Sequence, residues 1–220
     1  MTLYICISKK KPIYWLKKIY IYRRTLMSSS KALSGFHPSR KRGSAPNSCG
    51  VTEYKIAQNN AAALYSGDLV KLSSGYIAPV ATTTDYAVGV LMGVRYVDKT
   101  SKQPVWASYI NASVSSDDSN TYALVDDDPD STYVIQADAA LTIGDLNLNF
   151  DVTLGSGSTV TGRSGFGIKA GSRVATTAML RPVALYTEPG NAWGDTATKV
   201  ECRIQRNQQY TVVASVVGPV

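Results

Sequence analysis

At 220 residues, 44% hydrophobic and 9% aromatic, the chain has the ordinary balance of a folded protein and room for one all-β domain or two small ones. Its net charge of +7 conceals a division: eleven Lys and Arg lie between Lys9 and Arg42, ahead of any acidic residue, and the remainder carries 12 basic against 16 acidic side chains. The acidic body argues against nucleic acid as the main partner, and a single histidine, His37, excludes Ser-His-Asp or Cys-His catalysis inside that body.

Residues 1–26 form a basic leader whose centre, Lys9-Lys-Lys-Pro-Ile-Tyr-Trp-Leu-Lys-Lys-Ile-Tyr-Ile-Tyr-Arg-Arg24, mixes cations with Ile, Tyr and Trp. That composition suits an anionic membrane surface or a nucleic acid. Its apolar run at 13–16 is too short for a signal peptide and no small-residue cleavage site follows. Nor does it supply the about 20 mostly apolar residues of a bilayer span, so no membrane partner is expected. Lys, Ile and Tyr are also what AT-rich DNA encodes when read without selection, and the composition changes abruptly at Met27-Ser-Ser-Ser. The expectation is therefore a translation start at Met27.

Residues 27–50 read as an extended basic arm of Ser, Gly, Pro and cations, with Phe36 its only large aromatic. Alone it cannot bury enough apolar surface to order itself, so it is expected to be loose or laid across a neighbour. Gly35-Phe36-His37-Pro38-Ser39-Arg40 suits an extended anchor with one aromatic knob.

Residues 51–220 read as a β-rich body. Strands are expected at 51–57 and 68–72, with turns at Ser66-Gly67-Asp68 and Ser73-Ser74-Gly75. A longer apolar strand at 86–97 is interrupted by Gly89 and Gly93, which suggests a bulge or a close backbone approach. A polar loop at 98–103 leads to a strand at 104–110. Next comes an acidic corner, Asp126, Asp127, Asp128 and Asp130 around Pro129, between two strands; in the second, Tyr133 and Ile135 share one face and Val134 and Gln136 the other. Residues 139–152 open in a helix-tolerant way, but Gly144, Asn147 and Asn149 oppose a long helix. Residues 155–171 read as a long loop or thin hairpin, strands follow at 179–185 and 198–206, and an edge strand at 211–217 is the last. Strands at this spacing without helices between them point to an all-β antiparallel barrel or sandwich.

Little in the sequence carries chemistry, and no cofactor is expected. Cys6, Cys49 and Cys202 lack metal-ligand spacing. Asp126, Asp128 and Asp130 match the first three ligand positions of a calcium loop, but Ser131 stands where that loop needs glycine and Ala137 where it needs glutamate. A looser calcium site is kept as the weaker alternative to a solvated or partner-facing turn. Gly155-Ser-Gly157 and Gly162-Arg-Ser-Gly165-Phe-Gly167 lack the remaining features of phosphate loops. Trp193, in a Gly and Pro turn, reads either as a surface anchor or as the closure of one end of the body.

Several short motifs occur in a telling order: Ser66-Gly67-Asp68-Leu69-Val70-Lys71, Ala87-Val88-Gly89-Val90-Leu91-Met92-Gly93, Asp127-Asp128-Pro129-Asp130 through Gln136-Ala137-Asp138, Gly155-Ser156-Gly157-Ser158 with Thr161-Gly162-Arg163-Ser164, and Asn191-Ala192-Trp193-Gly194-Asp195. In this order they resemble a family of small structural proteins from tailed bacteriophages of aquatic bacteria, and Gly35-Phe36-His37-Pro38 is similar to that family's N-terminal Gly-Phe-x-Pro element. The likeness spans residues 34–207, mostly through the order of its motifs. Two departures stand out: the leader has no counterpart, and His37 stands where a cation is usual.

Members are taken to be capsid decoration or cement proteins. The resemblance therefore implies a non-enzymatic β domain on the capsid surface of the virion, made in the host cytoplasm, with the major capsid protein and copies of itself as partners. On that reading Phe36 and Pro38 pack against the shell, while Arg40, Lys41 and Arg42 meet acidic capsid patches. The alternative is a carbohydrate-binding or host-adhesion module using Trp193, Tyr186 and the acidic corner.

Overall fold

Strand β6 (Gly89–Val97) carries the architecture, because along its first half both faces are buried: Val90 enters one apolar core and Leu91 another. Successive strand side chains point to opposite faces, so a strand covered on both sides reads as an unbroken apolar run. Strand β4 (Leu69–Ser73) behaves alike, with Leu69 in the first core and Val70 in the second. The two cores are thus separated by a single sheet and belong to one body.

The computed structural model describes residues 31–42, 50–58, 60–112, 120–174 and 178–209. The leader, the edge strand expected at 211–217, Cys6 and Cys49 lie outside the described residues.

The larger sheet has the order β2–β9–β6–β4–β5, adding β2 (Thr52–Lys55), β9 (Tyr122–Asp126) and β5 (Tyr76–Pro79), while β7 (Pro104–Ala107) pairs with the second half of β6. One isolated parallel bridge, Ile56 with Ile77, draws its two ends together, so the sheet curls around the second core without closing. The other sheet has the order β1–β10–β14–β13, from β1 (His37–Lys41), β10 (Ser131–Gln136), β14 (Lys199–Ile204) and β13 (Leu180–Leu185). Its inner side chains Tyr133, Ile135, Val200, Cys202 and Ile204 share the first core with Leu69 and Val90. All named strand pairs are antiparallel, including the short pairs of β3 (Leu64–Tyr65) with β8 (Tyr109–Ile110) and β11 (Val152–Thr153) with β12 (Gly167–Ile168). The fold is all-β and sandwich-like.

Particular residues explain how far the sequence reading holds. The glycines of β6 do both things expected of them: the register with β9 shifts between Leu91 and Gly93, and a Cβ on Gly89 would lie 2.1 Å from the Asp126 carbonyl oxygen. Residues 104–110, expected as one strand, divide at Ser108 because β7 pairs with β6 and β8 with β3. Residues 139–152 hold the 3-10 turn Ile143–Asp145, single bridges at Asn149 and Phe150 and the short strand that starts at Val152, with no long helix.

The described part of the arm, residues 31–42, is the main correction, because it lies on this chain's own body. Gly35 N–H donates to the Phe166 carbonyl at 3.1 Å and Phe36 N–H to the Gly67 carbonyl at 3.0 Å. The Phe36 ring is 1% exposed and meets Tyr133 edge-on, centroids 6.1 Å apart. It is therefore a core residue with no surface to offer a capsid. Pro38 sits in edge strand β1 at the register shift against β10, where its missing N–H costs no ladder bond. Composition treats the segment as though it were alone; the apolar surface that orders it is supplied by residues distant in sequence.

Candidate functional site

Alternation along β14 sends Val200, Cys202 and Ile204 into the core and Lys199, Glu201 and Arg203 to the opposite, outer face of the sheet. The antiparallel register then sets Arg203 directly against Arg181 of β13. Like charges facing each other across a pair repel. Arg181 finds an acceptor, its Nε donating to Asn149 Oδ1 at 2.9 Å, whereas Arg203 Nε is a buried donor with no acceptor among the described residues.

On the β1 flank, Glu201 is held firmly. Arg40 donates to Glu201 Oε2 from Nε at 3.0 Å and Nη2 at 2.7 Å, and Ser39 Oγ donates to Oε1 at 2.9 Å. Arg40, Lys41 and Arg42 line a depression of about 290 Å³ with Thr132 and Val183. The structure also sets Arg181 against Arg203 across the β13–β14 pair and puts Lys199 at the other end of β14, held by Glu188 at 2.7 Å; none of these three was singled out. Only the period-2 spacing of Lys199 and Arg203 against Val200 and Cys202 signalled this in the sequence. The outcome is a pair of facing arginines, Arg181 and Arg203, on a sheet whose Arg40, Lys41 and Lys199 are each paired with a carboxylate.

The acidic corner does not assemble a metal site. Asp126 turns inward and accepts from Ser131 Oγ at 3.2 Å and Asp128 N–H at 3.3 Å, and burial pushes its pKa up. Asp127 accepts from Thr52 Oγ1 at 3.0 Å and Tyr54 OH at 2.8 Å; burial and then this carboxylate raise the Tyr54 phenol to about 12. Asp128 pairs with Lys41, which with the Asp130 N–H holds its carboxyl below the usual range. The three carboxylates diverge, and among the described residues no three His, Cys, Asp or Glu gather to hold a metal. The looser calcium site is thus not formed. Cys202 is buried, and burial raises its thiol pKa.

Trp193 is half-buried against the first core, the closing role of its two readings. Among the described residues the exposed tryptophan is Trp106 on β7, 66% exposed, with the Arg95 guanidinium 5.6 Å from its ring and 4.8 Å from that of Tyr122. Which of the two is exposed depends on strand alternation in β7, which a Gly and Pro turn does not reveal.

His37 does meet a serine, with Ser34 Oγ 3.0 Å from its Nε2. Burial, Arg163 and Lys199 all lower its pKa, so the charges facing it are cations in place of the carboxylate that would stabilise an imidazolium in a catalytic triad. Comparison of this chain with protein-family models, curated proteins and solved structures gives no match.

Proposed function

We propose that this chain is a bacteriophage virion structural protein, a decoration or cement protein that binds the outer surface of the head and stabilises capsid subunit junctions without catalysing a reaction. The resemblance in its ordered motifs supplies the class. The observation that carries the mode of binding is the arginine pair: Arg203 faces Arg181, and its buried Nε lacks an acceptor among the described residues. A buried donor left unmade costs about 1–3 kcal/mol. Carboxylates of a major capsid protein laid on this face offset the repulsion between the two guanidinium groups. Many copies at equivalent positions on the shell turn modest contacts into large total stabilisation.

A second reading, a glycan-binding host-adhesion module, is favoured by the exposure of Trp106 beside Arg95, an aromatic platform with polar groups at its edge.

A sedimentation assay and a glycan array separate the two. Heads lacking this chain are mixed with purified wild-type protein, Arg203→Gln or Trp106→Ala, at low and high salt. The shell reading expects Arg203→Gln to weaken attachment about tenfold or more with no fall in melting temperature, and salt to weaken wild-type binding. Undiminished attachment of Arg203→Gln overturns it. Binding of wild-type protein to a glycan array that Trp106→Ala abolishes, with no attachment to heads, supports the adhesion reading instead.

A further inference from the structure

At the opposite end of β1 from Arg42 lies a cleft of about 310 Å³, walled by Ser34 and His37 of the arm, Arg163 of the long loop, Tyr186 and Glu188 after β13, and Lys199 of β14. Its volume sits at the lower end of the ~300–1,000 Å³ typical of small-ligand sites. Three nitrogenous side chains converge there against one carboxylate. Lys199 Nζ is held by Glu188 Oε2 at 2.7 Å, which neutralises that pair. The Arg163 guanidinium makes no ion pair or side-chain hydrogen bond among the described residues, and neither does the Tyr186 hydroxyl. The uncompensated positive charge of the cleft is therefore that of Arg163, with His37 beside it.

The geometry points to this cleft as a binding site for a small oxyanion, a carboxylate or phosphate group, gripped by the Arg163 fork and flanked by His37 and the Tyr186 hydroxyl. A planar guanidinium offers two parallel N–H donors that match either group. Glu188 already plays the part of the anion towards Lys199, leaving Arg163 for the ligand. This inference stands apart from the shell reading, because it concerns a cleft that faces a small ligand and makes no use of Arg203.

The linkage has a definite sign. In the free protein burial, Arg163 and Lys199 hold His37 below the ordinary histidine pKa, so it is neutral near pH 7. The groups facing it are these two cations, Glu188 and Tyr186. A bound anion favours the charged imidazolium, so binding raises the His37 pKa and, reciprocally, affinity rises as pH falls below neutral.

The chain has one histidine, so its imidazole resonances are unambiguous in an NMR titration. Full-length protein is titrated with sulfate, whose charge is constant over this window, with acetate as the planar probe and chloride as the control. The expected result is a saturable shift of the His37 resonances with sulfate or acetate and a higher His37 pKa when bound. Which of the two binds more tightly tells a phosphate-like from a carboxylate ligand. Arg163→Gln should weaken binding about tenfold or more, read from backbone resonances of β1 and β14. His37→Gln should abolish the rise in affinity as pH falls. A linear response matched by chloride, or binding by Arg163→Gln equal to wild type, overturns the site.

Discussion

Replacing Phe36 by alanine is expected to destabilise the chain by about 3–5 kcal/mol, the usual cost of emptying a fully buried aromatic site. The ring is 1% exposed, meets Tyr133 at 6.1 Å edge-on and belongs to the core shared by both sheets. For a body of this size the loss corresponds to a fall in melting temperature on the order of 10 °C. Thermal unfolding followed by circular dichroism reads it directly. Had Phe36 been a knob for another protein, alanine would leave the melting temperature unmoved, so an unchanged transition contradicts the placement of the arm on its own body.

The second large effect is expected at Gly35, for a different reason. Its φ is +78°, a conformation that L side chains rarely adopt, and a Cβ there would lie 2.5 Å from Ser164 Cβ and 2.6 Å from the Gly67 carbonyl oxygen. Gly35→Ala therefore combines backbone strain with a forced separation of the arm from the Gly67 turn, together about 3 kcal/mol. Hydrogen exchange should locate the damage, with the β1–β10 amides losing protection before those of β6 and β9. Gly50→Ala is the control, since a Cβ there meets nothing within 4 Å. Equal melting temperatures for the two variants would show that Gly35 is not packed as described.

These two residues give the Gly-Phe-x-Pro element a physical meaning. Glycine allows the turn and the close approach, phenylalanine fills the core, and proline occupies an edge strand at a bulge. The pattern was legible as a motif, but its direction of action was not: nothing local shows that Phe36 is met by Tyr133, nearly a hundred residues on in sequence. Local signals served better within the strands. The alternation of Tyr133 and Ile135 marks the inner face of β10, and Gly89 and Gly93 mark the approach and bulge in β6.

The candidate face was half legible for a similar reason. Arg40, Lys41 and Arg42 are contiguous and were read as a contact set, whereas Arg181 and Arg203 become neighbours only through the β13–β14 register. The acidic corner drew attention by composition, yet the carboxylates of Asp126, Asp127 and Asp128 are spent on Ser131, Thr52, Tyr54 and Lys41 in this same chain. Charge density along a sequence reports where ionisable groups are, and only the fold decides which of them remain open to a partner.

Cryo-electron microscopy of intact virions from the phage proposed to encode this chain tests the shell reading most directly. The account predicts ordered β-sandwich density on the exterior of the head, with Arg181, Arg203 and Arg40 turned towards carboxylates of the capsid subunits. Heads that lack the polypeptide, or density in which this sheet face looks out to solvent, would contradict it.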